Sequence, residues 1–221
     1  MTGWHGGPFK RFALNDVLIE RMGAVAERAI LELGAGNGYF LPLALRRFSG
    51  QTPAHLVVTD NSRALLRIAE RHFRLPGAEY RPLDLRDPFP FPAEHFDLIL
   101  ATMVFNELTT PDLRRAVAEC RRVLRPAGRL LATVTHPDFI ASLAKRGVLR
   151  PAGPELALLP GAEGLPLPVA RRSAQSYIAL METAGFIVEQ SDVYATAEVL
   201  RAKPGLRNAG DVPLALILTC T

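Results

Sequence analysis

Apolar and polar positions along this chain repeat with two periods. Short, nearly continuous apolar runs stand at 29–33, 55–59, 96–101 and 129–135, the signature of strands buried on both faces. Between them the apolar residues recur at helical spacing. Leu14, Val17, Leu18, Met22 and Val25 mark a helix over Phe12 to Glu27 ahead of the first strand, and further helices are expected at about 38–48, 62–73 and 111–123. Thr110 is the expected N-cap of the last of these, with Pro111 at its first helical position. This alternation of strand and helix predicts a doubly wound α/β fold around a mainly parallel sheet. A later helix over 173–184 should stop at Gly185. The final strands, 186–194 and 212–220, are joined through Pro204, Gly205 and Gly210, which fits an antiparallel C-terminal hairpin at the sheet edge. The segment Gly147–Pro168 breaks the pattern with Pro151, Gly153, Pro154, Pro160, Gly161, Gly164, Pro166 and Pro168. Such a segment reads as a long loop that sustains no helix and interrupts any strand; its place after the fifth strand favours a lid over the substrate side, with a plain disordered insertion as the alternative.

The first strand runs into the densest cluster of glycines, Glu32-Leu33-Gly34-Ala35-Gly36-Asn37-Gly38. Alternate glycines let the backbone turn through positive φ and let a ligand approach the main chain, while the helix that follows directs unpaired N–H groups at it. The spacing is not that of a dinucleotide turn, which wants a small residue where Tyr39 stands. Asp60 closes the second strand with Asn61 beside it, Asp84 and Leu85 close a third segment that starts at Glu79, and Thr102 and Met103 follow the fourth. All of these strand ends fall at the carboxyl edge of the sheet, where open α/β folds bind ligands. The carboxylate of Asp60 can accept both ribose hydroxyl protons of a nucleoside.

From Ile30 to Thr135 the series resembles the class I S-adenosylmethionine-dependent methyltransferases, in particular the small-molecule, type 11-like branch. The resemblance implies a Rossmann-like, seven-stranded sheet of order 3-2-1-4-5-7-6 and S-adenosyl-L-methionine as cofactor. It implies that Gly34, Gly36 and Gly38, with Ala35 and Asn37, line the methionine and ribose portions and that Asp60 holds the ribose. Asp84 would accept from the adenine amino group, Leu85 would lie beside the ring, and Thr102 and Met103 would lie near the methionine end. Glu32 would order the glycine turn through its N–H groups or meet the cofactor's ammonium. The stretch Val123–Leu130 looks like the family's turn before strand five. The chain departs from the family at Phe105-Asn106-Glu107-Leu108, which replaces a frequent His-His pair.

Composition narrows the reading further. With 221 residues, 48% of them hydrophobic, the chain suits one domain, residues 1–221, with an N-terminal cap over 1–27 and an inserted lid over 138–172. The net charge of +4 comes from arginines in scattered pairs, the pattern of a solvated face rather than a nucleic-acid groove. Cys120 and Cys220 stand alone, which indicates neither a metal site nor a disulfide framework. No signal peptide or membrane-length apolar run is evident, so the expected location is cytoplasmic, with no membrane and no nucleic acid as partner.

A sulfonium methyl is already electrophilic, so positioning and exclusion of water can carry much of a transfer. His136, at the end of strand five, is the candidate base where an acceptor must lose a proton, the alternatives being a substrate contact without proton transfer and a hydrogen bond to the loop backbone before Pro137. Trp4 and His5 could fold over the substrate, and Tyr177 could face either core or pocket. No Asp-Pro-Pro-Tyr segment follows strand four, no Pro-Cys nucleophile is present, and no acidic metal cluster follows strands four and five. These absences direct the reading away from DNA amines, cytosine C5 and metal-assisted catechols, toward a small-molecule O, N or C acceptor. The alternative is a non-catalytic protein that keeps the fold and the cofactor motif.

Overall fold

A computed structural model of the chain describes residues 6–160, 166–209 and 211–221. Seven strands form the main sheet: β1 (Ala29–Leu33), β2 (His55–Asp60), β3 (Glu79–Pro82), β4 (Phe96–Thr102), β5 (Leu124–Thr135), β9 (Val188–Val193) and β10 (Ala215–Cys220). Their order is β3-β2-β1-β4-β5-β10-β9. The first five run parallel, and β10 is antiparallel to both β5 and β9. The doubly wound sheet with its antiparallel C-terminal pair is therefore as the sequence predicts. The pair is not a tight hairpin, however, because helix α7 (Ala197–Ala202) and a short 3₁₀ segment (Pro204–Ala209) occupy the connection.

Register explains the continuous apolar runs. Val57, Leu31, Ile99 and Leu130 are successive neighbours across four strands and face one side, where α4 (Thr110–Val123) and α6 (Ala174–Thr183) cover them with Leu113, Val117, Tyr177 and Met181. The adjacent rung, Val58, Glu32, Leu100 and Leu131, faces the other side. There α1 (Asn15–Met22) and α2 (Phe40–Arg47) pack through Leu18, Met22 and Leu41. Both faces being buried, the central strands are apolar at nearly every position; Glu32 is the one carboxylate in this pair of rungs. Tyr177 is thus a core residue, 1% exposed.

Element ends shift by a few residues from expectation. The first helix ends at Met22, before Gly23, and begins in a wide π-type turn over Lys10–Leu14. Thr109, not Thr110, caps α4, its hydroxyl accepting from the N–H of Asp112. Strand β5 starts five residues early, because Leu124 pairs with Phe96 before the intervening turn bulges out and pairing resumes at Leu98 and Arg129.

The larger correction concerns residues 138–172. Helix α5 (Pro137–Lys145) follows strand β5 directly, and a second sheet of three antiparallel strands comes next: β6 (Arg150–Pro151), β7 (Leu156–Pro160) and β8 (Pro166–Ala170). Ile140 and Leu143 of α5 pack on Ala157 and Val169 to form a small core of their own. The prolines do not break this sheet because Pro151, Pro166 and Pro168 stand on its edge strands, where a missing N–H removes no ladder bond if it faces outward. The central strand carries a proline only at its end, Pro160. Gly161 and Gly164 lie outside the described residues.

Leu158 of β7 is flanked on both sides, by Arg150 and by Pro168. Leu158→Pro should remove a ladder bond from the centre and release the small sheet, seen as new protease cleavage between residues 146 and 172 with the main sheet's circular dichroism retained.

Candidate functional site

The carboxyl ends of β1, β2 and β4 and the small sheet enclose a cavity of about 750 Å³. Its floor is the glycine turn. Gly36 has φ +60°, and a Cβ there would point into open space with nothing within 4 Å, so the turn presents bare main chain to whatever enters. Gly34 and Gly38 are glycines for a different reason. A Cβ at Gly34 would lie 2.4 Å from Val104, and one at Gly38 would lie 2.4 Å from Ala69 of helix α3 (Arg63–His72). Gly38 does not line the cavity, which corrects its expected place against a ligand; its role is to let α3 pack close to the turn.

Asp60 organises this floor. It is 7% exposed, its Oδ2 accepts from the N–H of Gly36 at 2.8 Å, and its Oδ1 accepts from the N–H of Ser62 at 2.8 Å. Each oxygen keeps a further lone pair for a ligand hydroxyl. The turn is tied to β2 a second time by the N–H of Ala35, which donates to the carbonyl of Thr59 at 2.9 Å. The ordering of the turn therefore belongs to Asp60 and not to the Glu32 carboxylate.

Glu32 faces the cavity instead. It is 2% exposed, and its Oε2 has no hydrogen-bond partner among the described residues. Burial pushes its pKa up to about 8, with Lys10 opposing the shift and Asp60 adding to it. Lys10 enters the same cavity from the N-terminal turn, its ammonium pKa lowered by burial against the pull of Glu32 and Glu107. The N-terminal segment thus does reach the crevice, through Gly6 and Lys10; Trp4 and His5 lie outside the described residues.

Ala35, Asn37, Asn61, Leu85 and Thr102 all line the cavity. Asp84 does too, but Arg86 grips both of its oxygens, at 2.9 and 2.5 Å. That pairing holds the Asp84 carboxyl down at about 2. Met103 adopts φ +61°, a conformation rare outside glycine, and is held there by its N–H donating to the carbonyl and hydroxyl of Thr133.

The opposite wall is chemically distinct. Leu156, Leu159, Leu167, Pro168 and Val169 of the small sheet form an apolar roof. Beneath it stands Glu107, whose carboxylate makes no hydrogen bond or ion pair among the described residues. Its desolvation and the nearby Asp60 raise it to about 7, with Lys10 opposing. Sequence reasoning noticed Glu107 only as a departure from a family pattern, and it expected the segment after strand five over the substrate side as a loop, without the strands that residues 156–160 and 166–170 form.

His136 is not brought to the cavity, although its neighbour Thr135 is. The imidazole is 5% exposed, and its Nδ1 accepts from the N–H of Asp138 at 3.1 Å as the N-cap of α5. An accepting Nδ1 places the ring proton on Nε2, which faces Asp192 at 3.3 Å. Strand alternation is the physical reason: Thr135 turns to the crevice, so the next side chain turns away.

Residues 30–128 match the family model described as a methyltransferase domain. The malonyl-[acyl-carrier protein] O-methyltransferase of Methylococcus capsulatus is 38% identical over 116 residues, which cover 52% of this chain and 40% of that protein. An uncharacterized methyltransferase of Bacillus subtilis, YdaC, is 29% identical over 132 residues, 60% of this chain and 70% of the relative. Among solved structures, an S-adenosylmethionine dependent methyltransferase from Mesorhizobium loti superposes with a TM-score of 0.72 over 99% of both chains at 19% identity, a likeness of fold. The glycine turn and the acid at the end of β2 fall within the family-model match; over this stretch the chain is similar in sequence to methyltransferases, spanning less than half the length of the Methylococcus relative, and it is similar in fold to S-adenosylmethionine dependent methyltransferases.

Proposed function

We propose that the chain binds S-adenosyl-L-methionine on the glycine turn and transfers its methyl group to a small-molecule amine or hydroxyl held beneath the small sheet. The observation that carries this reading is the cavity itself, with a bare-backbone floor at Gly36, a hydroxyl-ready carboxylate at Asp60 and an apolar roof opposite. The residues fit the cofactor. Asp60 would take the ribose, the partnerless Oε2 of Glu32 the ammonium, Lys10 the carboxylate, and Asp84 and Leu85 the base, with Asn37, Asn61, Thr102 and Met103 completing the wall. When bound, the cofactor supplies an electrophilic methyl.

The chain's own residues then have to position a nucleophile, keep water out and receive a proton. Leu156, Leu159 and Val169 exclude water. Glu107 receives the proton or holds the ammonium form of an amine, a role that its free carboxylate fits and that His136, turned away, does not. The relative from Methylococcus capsulatus is named for O-methylation of a malonyl group. A carboxylate acceptor would here meet Asp60 and, above about pH 7, an ionised Glu107 within one cavity, so like-charge repulsion favours a neutral or cationic acceptor.

The two glycines separate binding from folding. Gly36→Ala should cost about 1–2 kcal/mol of stability for its left-handed backbone and weaken cofactor binding in calorimetry at least tenfold. Gly38→Ala, forced against Ala69, should be the more destabilising of the two in urea melts. Unchanged affinity in a folded Gly36→Ala variant would place the cofactor elsewhere.

Glu32 predicts a pH signature. Its carboxyl titrates near 8 in the folded chain against 4.5 as the reference value, so the folded state holds a proton that the unfolded state releases. Ligand-free stability contributed by this group falls as pH rises from about 4.5 to 8 and is flat beyond. In Glu32→Gln that part of the slope should vanish in urea melts at pH 5.5, 7 and 8.5. An ammonium beside Glu32 favours the ionised form, so cofactor binding to wild type at pH 7 should expel a proton, read as a buffer-dependent enthalpy that the variant lacks.

Once an acceptor has been found by screening for S-adenosylhomocysteine release, Glu107→Gln should lower kcat by 10²–10⁴-fold, the usual contribution of a positioned base, with little change in cofactor affinity. His136→Asn, which can still cap α5, should keep most of its turnover. The reverse ranking would restore His136 as the base.

A further inference from the structure

Among the arginine pairs of this chain, one member is buried. Arg172 is buried, its side chain 5% exposed, and lies over the ring of Tyr177 at 4.8 Å from the centroid. Its Nη2 donates to the carbonyl of Leu108 and to the hydroxyl of Thr110, both at 3.1 Å. Its Nε and Nη1 meet no acceptor at hydrogen-bonding geometry among the described residues. A buried guanidinium normally satisfies its donors, because an orphaned charged donor costs more than a neutral one. Two orphans on one group call for an acceptor with paired oxygens.

Arg172 lines a cleft of about 530 Å³ between α4 and α6, separate from the cavity described above. Arg114 and Arg171 line it as well, both exposed, together with the hydroxyl residues Thr110, Ser173 and Ser176. Helix α6 starts in its wall, with Ser173 capping the N–H of Ser176, so the positive end of a helix dipole adds to three guanidinium groups. The single acid in the lining is Glu155, whose Oε2 accepts from the N–H of Thr110 at 2.5 Å and stands 3.7 Å from Arg172. One carboxylate against three guanidinium groups leaves a surplus of two positive charges.

We propose that this cleft is a binding site for a phosphate-type anion, held by Arg172, Arg171 and Arg114, with Glu155 as the internal competitor for Arg172. Its volume exceeds what a lone phosphate needs and leaves room for the body of a phosphate ester. The cleft also backs onto the cavity. Leu108 and Thr109 line the cavity while Thr110 lines the cleft, and Leu156 and Val169 face one side where their neighbours Glu155 and Ala170 face the other. An anion that draws on Arg172 competes with its bonds to Leu108 and Thr110, which tie the chain after β8 to the first turn of α4 beside the roof over the acceptor. The site stands independently of the methyl-transfer reading.

The test uses the full chain without cofactor. Arginine Nε–H signals are followed by nuclear magnetic resonance during titration with inorganic phosphate and, separately, with phenyl phosphate, against sodium chloride at matched ionic strength. The expected result is a saturable shift of the Arg172 Nε–H with at least one phosphate. Binding should be at least tenfold weaker in Arg114→Gln, an exposed position that spares the fold, and tighter in Glu155→Gln. Tighter binding of phenyl phosphate assigns the anion to a larger ligand, and tighter binding of inorganic phosphate assigns it to the free ion; either supports the site. The proposal is overturned if neither phosphate saturates, if chloride reproduces the shift, or if a double Arg114→Gln, Arg171→Gln variant binds as wild type does.

Discussion

One carboxylate holds the cavity floor in shape. Asp60 is fixed by its place at the end of a buried strand, and from there it accepts from the backbone of Gly36 and of Ser62. Charge-assisted bonds of this kind contribute about 1.5–3 kcal/mol each, enough to hold open a turn whose glycines have little conformational preference of their own. The same contacts couple three elements, because Ser62 is the N-cap of α3 and α3 presses Ala69 against Gly38. The turn, the strand end and the helix are consequently one mechanical unit, and the open lone pairs of Asp60 are positioned before any ligand arrives.

That preorganisation has an electrostatic cost. Glu32 sits in a rung whose other members are Val58, Leu100 and Leu131, and among the described residues no donor reaches its Oε2. Strand geometry leaves it no alternative: the next residue along, Leu33, must fill the core on the other face. A buried acid near the carboxyl edge of the sheet is tolerable because it can keep its proton, and Lys10, arriving from another part of the chain, lowers the charge imbalance without closing on it as an ion pair.

The sequence was legible where local rules coincide with the fold. Continuous apolar runs marked the parallel strands, and alternate glycines between a strand and a helix marked the floor. It was misleading where one residue type answers to two constraints. Gly38 looks like Gly36 in sequence, yet only the contact with Ala69 reveals that helix packing demands it. His136 ends a strand at the right edge of the sheet, but the side-chain alternation from Thr135 and the capping of α5 turn it away. Proline-rich residues 151–168 read as loop because a strand rule written for central positions does not hold at edges, and sheet position is a tertiary fact. Arg172 was hidden among solvated arginine pairs because burial of one member depends on Tyr177, Leu108 and Thr110 meeting in space.

The prolines of the small sheet have an effect beyond the single molecule. A three-stranded sheet standing off the main one ordinarily offers two open flanks of unpaired N–H and C=O groups on which a strand from another chain could dock. Here one flank is a strand of only two residues ending in Pro151, and the other carries Pro166 and Pro168. Donors are missing along both flanks, so the sheet is poor at recruiting strands from neighbouring chains. The residues that disguise this segment as a loop in sequence thus guard the folded protein against edge-to-edge aggregation.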